Sequence, residues 1–172
     1  LTSPAILLTS SEHRYRNALQ AVAGYCGIYL KPSDRDGTIT LGDAMNYLKY
    51  LVEDIHTTVV ATVDDEGLPV TAAIDMMDYD EDCLYFLTAK GKGFYDRLKK
   101  RGTLALTGMK GTDTMHCAAL SIRGKVRELG DELLPRLFEK NSYMNEIYPD
   151  AASRRALTVF VIYEGSGEWF DL

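Results

Sequence analysis

The run Leu84-Tyr85-Phe86-Leu87-Thr88 leads directly into Ala89-Lys90-Gly91-Lys92-Gly93-Phe94-Tyr95. A strand ending in Thr, a glycine-bearing turn with two lysines and the start of a helix gather a hydroxyl, main-chain amides and ammonium groups around one point. That point suits a phosphate monoester. A solvated lysine turn joining strand to helix accounts for the same residues equally well.

Other reactive side chains offer less. His116 adjoins Cys117, yet neighbours in a strand point to opposite faces, so they are poorly set as nucleophile and base. An exposed histidine is the expected reading, with a place at the mouth of a ligand pocket as the alternative. His13 and His56 have no ligand cluster near them in sequence, and the acidic turns at 64–66 and 78–82 lack an EF-hand register, so no metal is expected. Trp169 and Phe170 suit either core packing, the favoured reading, or stacking on a flat heterocycle. Arg154-Arg155 reads as a solvated helix face.

The 172 residues fit one main domain with an appendage, and 19 basic against 25 acidic residues leave a net charge of -6. Such a balance disfavours nucleic acid as a partner while permitting a local anion site. No apolar run reaches the roughly 18 residues of a membrane span. Cys26, Cys83 and Cys117 are too few and too scattered for a disulfide framework or zinc site, which points to a reducing, cytoplasmic setting. Pro4 to Leu8 is too short and lacks the basic flank of a secretory signal.

The elements that must position the lysine turn follow from periodicity. A helix is expected from Ser10 or Ser11 to about Leu30, then a turn cluster over Pro32 to Thr38 that divides an N-terminal helical extension, 1–39, from a main domain, 40–172. A second helix carries Ala44, Met45, Leu48, Leu51 and Val52 on one stripe. Thr57 to Val63 and Pro69 to Asp75 form a hairpin, and Cys83 to Thr88 is expected beside it as the third strand of a meander. A short helix over Lys92 to Lys100, strands over Thr103 to Met109 and Ala118 to Leu129, and helices near Leu133 to Phe138 and Asp150 to Leu157 follow. Two final strands, Thr158 to Glu164 and Gly167 to Asp171, flank a Gly-Ser-Gly turn. The pattern predicts a mainly β fold with inserted helices: an antiparallel, partly closed barrel of about six or seven strands.

The hairpin Ala61 to Thr71, the strand and lysine turn, and Ser121-Ile122-Arg123-Gly124-Lys125-Val126, in that order, resemble the pyridoxamine 5'-phosphate oxidase-related flavoproteins over roughly Ala44 to Leu172. The resemblance implies an FMN-binding split β-barrel that forms a homodimer with the flavin at the subunit interface. It places the phosphate on Thr88, Lys90 and Lys92, and the ring along Thr71, Ala72 and Ala73 and along Phe86 and Leu87. It implies an FMN-dependent oxidoreductase passing hydride or electrons from a small-molecule or redox-protein donor to an acceptor. The alternatives are a flavin-binding or sensing module without turnover, or a structural split barrel without cofactor. The oxidase pattern has an arginine opening the second strand segment and a Ser-Arg-Lys triplet in the turn. Here stand Thr71 or Ala72 and Lys90-Gly91-Lys92, and the C-terminal Arg and His grip on the vitamin B6 substrate is missing, so the chain is not that oxidase.

Overall fold

Alternation of β-branched and small residues commits just over half of the described residues to strands, and the sheet that results is rolled but open. The computed structural model describes residues 27–32, 47–80 and 82–171. The strands are β1 (Gly27–Pro32), β2 (Thr57–Val63), β3 (Pro69–Asp75), β4 (Asp78–Tyr79), β5 (Leu84–Ala89), β6 (Thr103–Asp113), β7 (His116–Gly130) and β8 (Leu157–Asp171). The helices are α1 (47–55, its last turn π-helical over Leu51–Ile55), α2 (Gly93–Arg101), α3 (Leu134–Lys140), α4 (Met144–Ile147) and α5 (Ala151–Arg154). No helix among the described residues is long and apolar enough to cross a membrane.

The strand order is β3-β2-β6-β7-β8-β5-β4, with β1 pairing parallel to the far half of β8 and every other pairing antiparallel. This order corrects two expectations. The strand β5 does not extend the β2–β3 hairpin into a meander; it pairs with β8. Nor does the sheet close into a barrel, because β3 lies at one end of the order and β4 at the other with no ladder between them. The chain passes from one end to the other through Met76 and Met77, both buried. Single bonds from Met76 N to His56 O and from Met77 N to Tyr85 O stand where a continuous ladder would be.

Rolling the sheet turns one face of its strands onto a common core. Val60 of β2, Phe86 of β5, Leu104 and Leu106 of β6, Leu120 and Ile122 of β7 and Phe160 of β8 form it, closed by Leu48 and Leu51 of α1 and by Phe94 and Leu98 of α2. The reverse faces of β5 and β8 are also buried, against α3, through Tyr85, Val159, Val161, Leu137 and Phe138. Burial on both faces explains why the β8 segment from Leu157 to Ile162 is continuously solvent-free. Asp78 of β4 is buried between Arg136 Nε and Lys140 Nζ of α3, each 2.5 Å away, and so ties the helical insertion to the sheet.

Two other elements differ from expectation. Gly27 to Leu30 belong to β1 rather than to a helix, while the rest of that expected helix, and Ala44 and Met45 of the next, lie outside the described residues. The stretch Gly165-Ser166-Gly167 does not turn; β8 runs straight through it. Gly165 faces Gly124 on β7 and Ile28 on β1, and a Cβ there would sit 2.6 Å from Arg123 O. Glycine is needed for strand contact, not for a bend.

Helix α2 is held at both faces. Lys100 pairs with Asp65 at 2.6 Å, and Arg101 donates to Val63 O and Asp64 O of the β2–β3 turn. On the other side Glu128 of β7 accepts from Lys99 at 2.8 Å, Tyr95 Oη at 3.2 Å and Thr158 Oγ1 of β8 at 2.7 Å. Burial alone would raise the Glu128 carboxyl. Its hydrogen bonds from Lys99 and Thr158, the Lys99 charge and the Tyr95 hydroxyl outweigh that and hold it below its ordinary value of 4.5.

Two stability measurements test this arrangement. Gly165→Ala is expected to lower urea stability by about 1–3 kcal/mol, the usual cost of forcing atoms into a packed contact; an unchanged midpoint would contradict a straight β8. For Glu128, a folded pKa below the unfolded one means its contribution is complete above about pH 4.5 and is lost as pH falls through the folded value. Glu128→Gln is therefore expected to destabilise the protein at neutral pH by about 1–3 kcal/mol and to flatten the loss of stability on acidification, read from urea melts across that range.

Candidate functional site

The lysine turn is built at the end of β5. Lys90 N donates to Ala156 O at 2.7 Å, Gly91 takes φ +82°, and Lys92 is extended (φ -88°, ψ 144°) as the residue before the helix. A left-handed Gly91 is what lets the chain reverse from strand into α2 within so few residues. No side chain caps α2 at its start, so the first-turn amides of Gly93, Phe94 and Tyr95 lack the acceptor a capping residue would supply. Both lysines are exposed, whereas Thr88 is only 6% exposed and is the last residue of β5 on the core-facing side.

One contributor was not legible in the turn itself. Arg97, one turn into α2, donates its Nε to Thr62 Oγ1 of β2 at 2.8 Å, and its Nη1 lies 3.1 Å from where a Cβ on Gly93 would be. The i, i+4 spacing of Gly93 and Arg97 was the available signal, since a helical side chain leans back over the preceding turn.

The other expected site residues fall on three surfaces. Thr71 and Ala73 are exposed on the outward face of β3, opposite Ala61 and Val59 of β2, while Ala72 points inward and is half-buried. Phe86 is wholly buried, stacked on Phe160 at 5.7 Å and touching Phe94 at 6.2 Å, so its ring is a core group. Leu87 is half-buried on the opposite side, against the second core. Thr88, Lys90 and Lys92 converge on the turn; Phe86 and Leu87 can meet a ligand there only through main chain. Among the described residues, no strand pairs with the outer edge of β5 beyond Tyr85 or with the outer edge of β3.

The remaining candidates resolve as follows. His116 is exposed and pairs with Asp113 at 3.0 Å, and Cys117 is buried on the other face, donating to Thr114 O. Trp169 packs on the core against Tyr47 and Tyr50, with ring centroids 4.8 and 5.2 Å apart. Arg154 donates to Tyr148 O and Asn145 Oδ1 and covers the Phe138 ring at 4.3 Å, a structural clasp rather than a solvated face. Among the described residues no group of three or more His, Cys, Asp or Glu could hold a metal ion.

A second polar cluster lies at the opposite end of β3. His56, whose backbone has φ +64° and ψ -68°, presents Nδ1 to Val52 O at 3.2 Å and Nε2 to Tyr143 Oη at 2.9 Å. Tyr143 in turn donates to Asp75 Oδ2 at 2.8 Å, and Thr57 donates to Asp75 Oδ1 at 2.7 Å. Burial, then the Asp75 hydrogen bond, push the Tyr143 hydroxyl up. The cluster borders a cleft of about 570 Å³, where burial and the Glu53 hydrogen bond raise Tyr79 to about 12. Its groups are bonded chiefly to one another.

None of the curated proteins compared with the chain matches it. Among solved structures, it resembles a NimC/NimA family protein from Clostridium acetobutylicum (13% identity, TM-score 0.61, covering 74% of this chain and 88% of that one). It also resembles a protein from Clostridium acetobutylicum related to general stress protein 26 of B. subtilis, of the pyridoxinephosphate oxidase family (20%, 0.61, 77% and 91%). A conserved hypothetical protein from Mycobacterium tuberculosis is similar again (14%, 0.63, 82% and 89%). At these identities the likeness shows the fold. The family model for pyridoxamine 5'-phosphate oxidase matches residues 46–165, most of the chain from α1 through β8, and the chain therefore belongs to the pyridoxamine 5'-phosphate oxidase-related split-barrel family, as a member distinct from the oxidase itself.

Proposed function

We propose that this chain is an FMN-binding flavoprotein that works as a homodimer, with the flavin phosphate on Thr88, Lys90 and Lys92 and the ring between the open edges of β3 and β5. The observation carrying this reading is a turn whose two lysines pair with no carboxylate among the described residues, at an uncapped helix start beside a buried threonine, within a family of flavin-binding folds. Donor chemistry of this kind suits a phosphate dianion. Along Thr71 to Ala73 and Phe86 to Thr88, the outward-pointing amides and carbonyls, which no described strand pairs, are groups that a ring edge could meet, and the small Ala72 and Ala73 leave room beside them.

Bound FMN would supply hydride and electron transfer at its ring, and the protein's share is to bind, orient and shield it. Shielding calls for a second wall. The outward face of β3, β2 and β6 carries Val59, Ala61, Val63, Thr71, Ala73 and Ala105, a flat run of small residues with Val59 55% exposed. A second copy on that face would bury it and close the ring site from water.

A flavin-holding module without turnover is the second reading. It is favoured by the lack, in the described sequence from Thr88 to Tyr95, of any histidine, cysteine or carboxylate, the nearest being Asp96, and by the mutual bonding of His56, Tyr143 and Asp75.

Purified protein incubated with FMN is expected to take on the visible flavin spectrum, and Lys90→Ala with Lys92→Ala to weaken FMN at least roughly tenfold. A colourless preparation that gains no flavin would sink the proposal. Reduction of bound FMN by a nicotinamide cofactor and reoxidation by a nitroaromatic or quinone separates enzyme from module. By light scattering the protein should be a dimer and Val59→Arg a monomer; a wild-type monomer at working concentration contradicts the shared site.

A further inference from the structure

The polar cluster at the end of β3 is one proton short whenever its histidine is neutral. Val52 O can only accept, so its 3.2 Å contact with His56 Nδ1 requires the ring hydrogen on Nδ1. Nε2 of a neutral ring is then an acceptor, 2.9 Å from Tyr143 Oη. The phenol has a single hydrogen, and Asp75 Oδ2, 2.8 Å away, takes it. Burial and the Asp75 bond push the Tyr143 hydroxyl up, so the phenol keeps that hydrogen. Two acceptors are left facing each other; turning the phenolic hydrogen to Nε2 only moves the deficit to Asp75. A proton on Nε2 completes the chain, with Nε2 donating to Oη and Oη to Oδ2, and sets a charged ring 3.6 Å from the carboxylate.

The backbone marks the same residue. His56 has φ +64° and ψ -68°, the one non-glycine with positive φ among the described residues, and its N–H closes the π-helical turn on Leu51 O at 2.7 Å. Such strain persists where surrounding bonds hold it.

The cluster also bridges two parts of the fold. Its cleft is lined by Val52 and His56 at the end of α1, by Asp78 of β4, and by Lys140 and Tyr143 of the helical segment. Across it run the Asp78 pairs with Arg136 and Lys140, the Asn141 amide on Met77 O, and Tyr143 on His56 and Asp75. Of these ties, the last alone contains a histidine, the side chain that ordinarily changes charge between about pH 5 and 8. The charged and titratable groups around the ring are Asp75 of β3, Tyr143, Glu53 of its own helix, Asp78 and Tyr79 of β4, and Lys140 of α3. Glu53 accepts from Tyr79 at 3.0 Å and Asp78 is paired with Lys140, which leaves Asp75 as the carboxylate that answers the ring.

We propose that His56, Tyr143 and Asp75 form a proton-operated latch across this cleft, shut when Nε2 carries a proton and slackened when it does not. The latch holds the segment around α4 where the imidazole is charged, and that hold is lost as pH rises through the histidine range. It is independent of the flavin reading.

The first test follows the ring nitrogens of full-length protein by ¹H–¹⁵N NMR from pH 9 to pH 5, with His56→Gln to assign the signals. Wherever the ring is neutral its hydrogen is expected on Nδ1, and acidification should add the second on Nε2. A neutral ring with its hydrogen on Nε2 completes the chain without charge and overturns the latch, as does a ring that keeps one charge state throughout. The second test is amide exchange, corrected for the intrinsic effect of pH. The amides of Asn141 and Tyr148, bonded to Leu137 O and Met144 O, should lose protection roughly tenfold as Nε2 gives up its proton. The β7–β8 ladder should not change. Tyr143→Phe removes the relaying oxygen and is expected to abolish this pH dependence with the ladder still protected. A dependence that survives in Tyr143→Phe, or protection in wild type that ignores pH, rejects the proposal.

Discussion

The structure turns on a sheet that rolls far enough to share one core but stops short of closing. Main-chain amides and carbonyls demand partners, and a closed barrel would satisfy them all internally. Here the chain crosses from β3 to β4 through the buried Met76 and Met77, and the β4 ladder covers only Leu84 and Tyr85 of β5. Among the described residues, the outer edges of β3 and of β5 past Tyr85 have no strand partners. What would be a defect in a purely structural barrel is a ready set of donors and acceptors in a protein that binds a flat, polar-edged ligand.

That opening would be useless if its rim moved, and the rim is tied down by charge. Helix α2 spans between the β2–β3 turn, through Arg97, Lys100 and Arg101, and the β7–β8 ladder, through Tyr95 and Lys99 on Glu128. Glu128 is the only one of these partners that gathers three donors, and burial raises the stakes of each bond it makes. The lysine turn therefore leads into an anchored helix, and among the described residues its two lysines share no ion pair with the anchoring carboxylates.

Much of this was legible in the residues. Period-two patterning located β2, β3 and the cores of β6 and β7, because one face of each had to be apolar, and a continuous apolar run located β5. The turn from Thr88 to Lys92 was legible because glycine, lysine and hydroxyl types mark geometry and charge directly. Strand order was not, since Cys83 to Thr88 is apolar on both faces, and such a run fits any interior position. Gly165-Ser166-Gly167 misled for a related reason: glycine marks both bends and close contacts, and only the opposing Gly124 distinguishes them. Arg97 escaped notice because its role depends on Thr62, distant in sequence, and because basic residues in a helix ordinarily face solvent.

The same long-range dependence bears on what the site can select. A turn carrying only Lys90 and Lys92 would hold an anion loosely, since ammonium groups on flexible stems act as point charges without preferred direction. A guanidinium held at Nε by a buried threonine, as Arg97 is by Thr62, has a fixed direction. Thr62 and Thr88, each next to the last residue of its strand, β2 and β5, are both buried. Thr62 Oγ1 donates to Val70 O and accepts from Arg97 Nε, so a strand distant in sequence, and not the turn itself, fixes where that guanidinium lies.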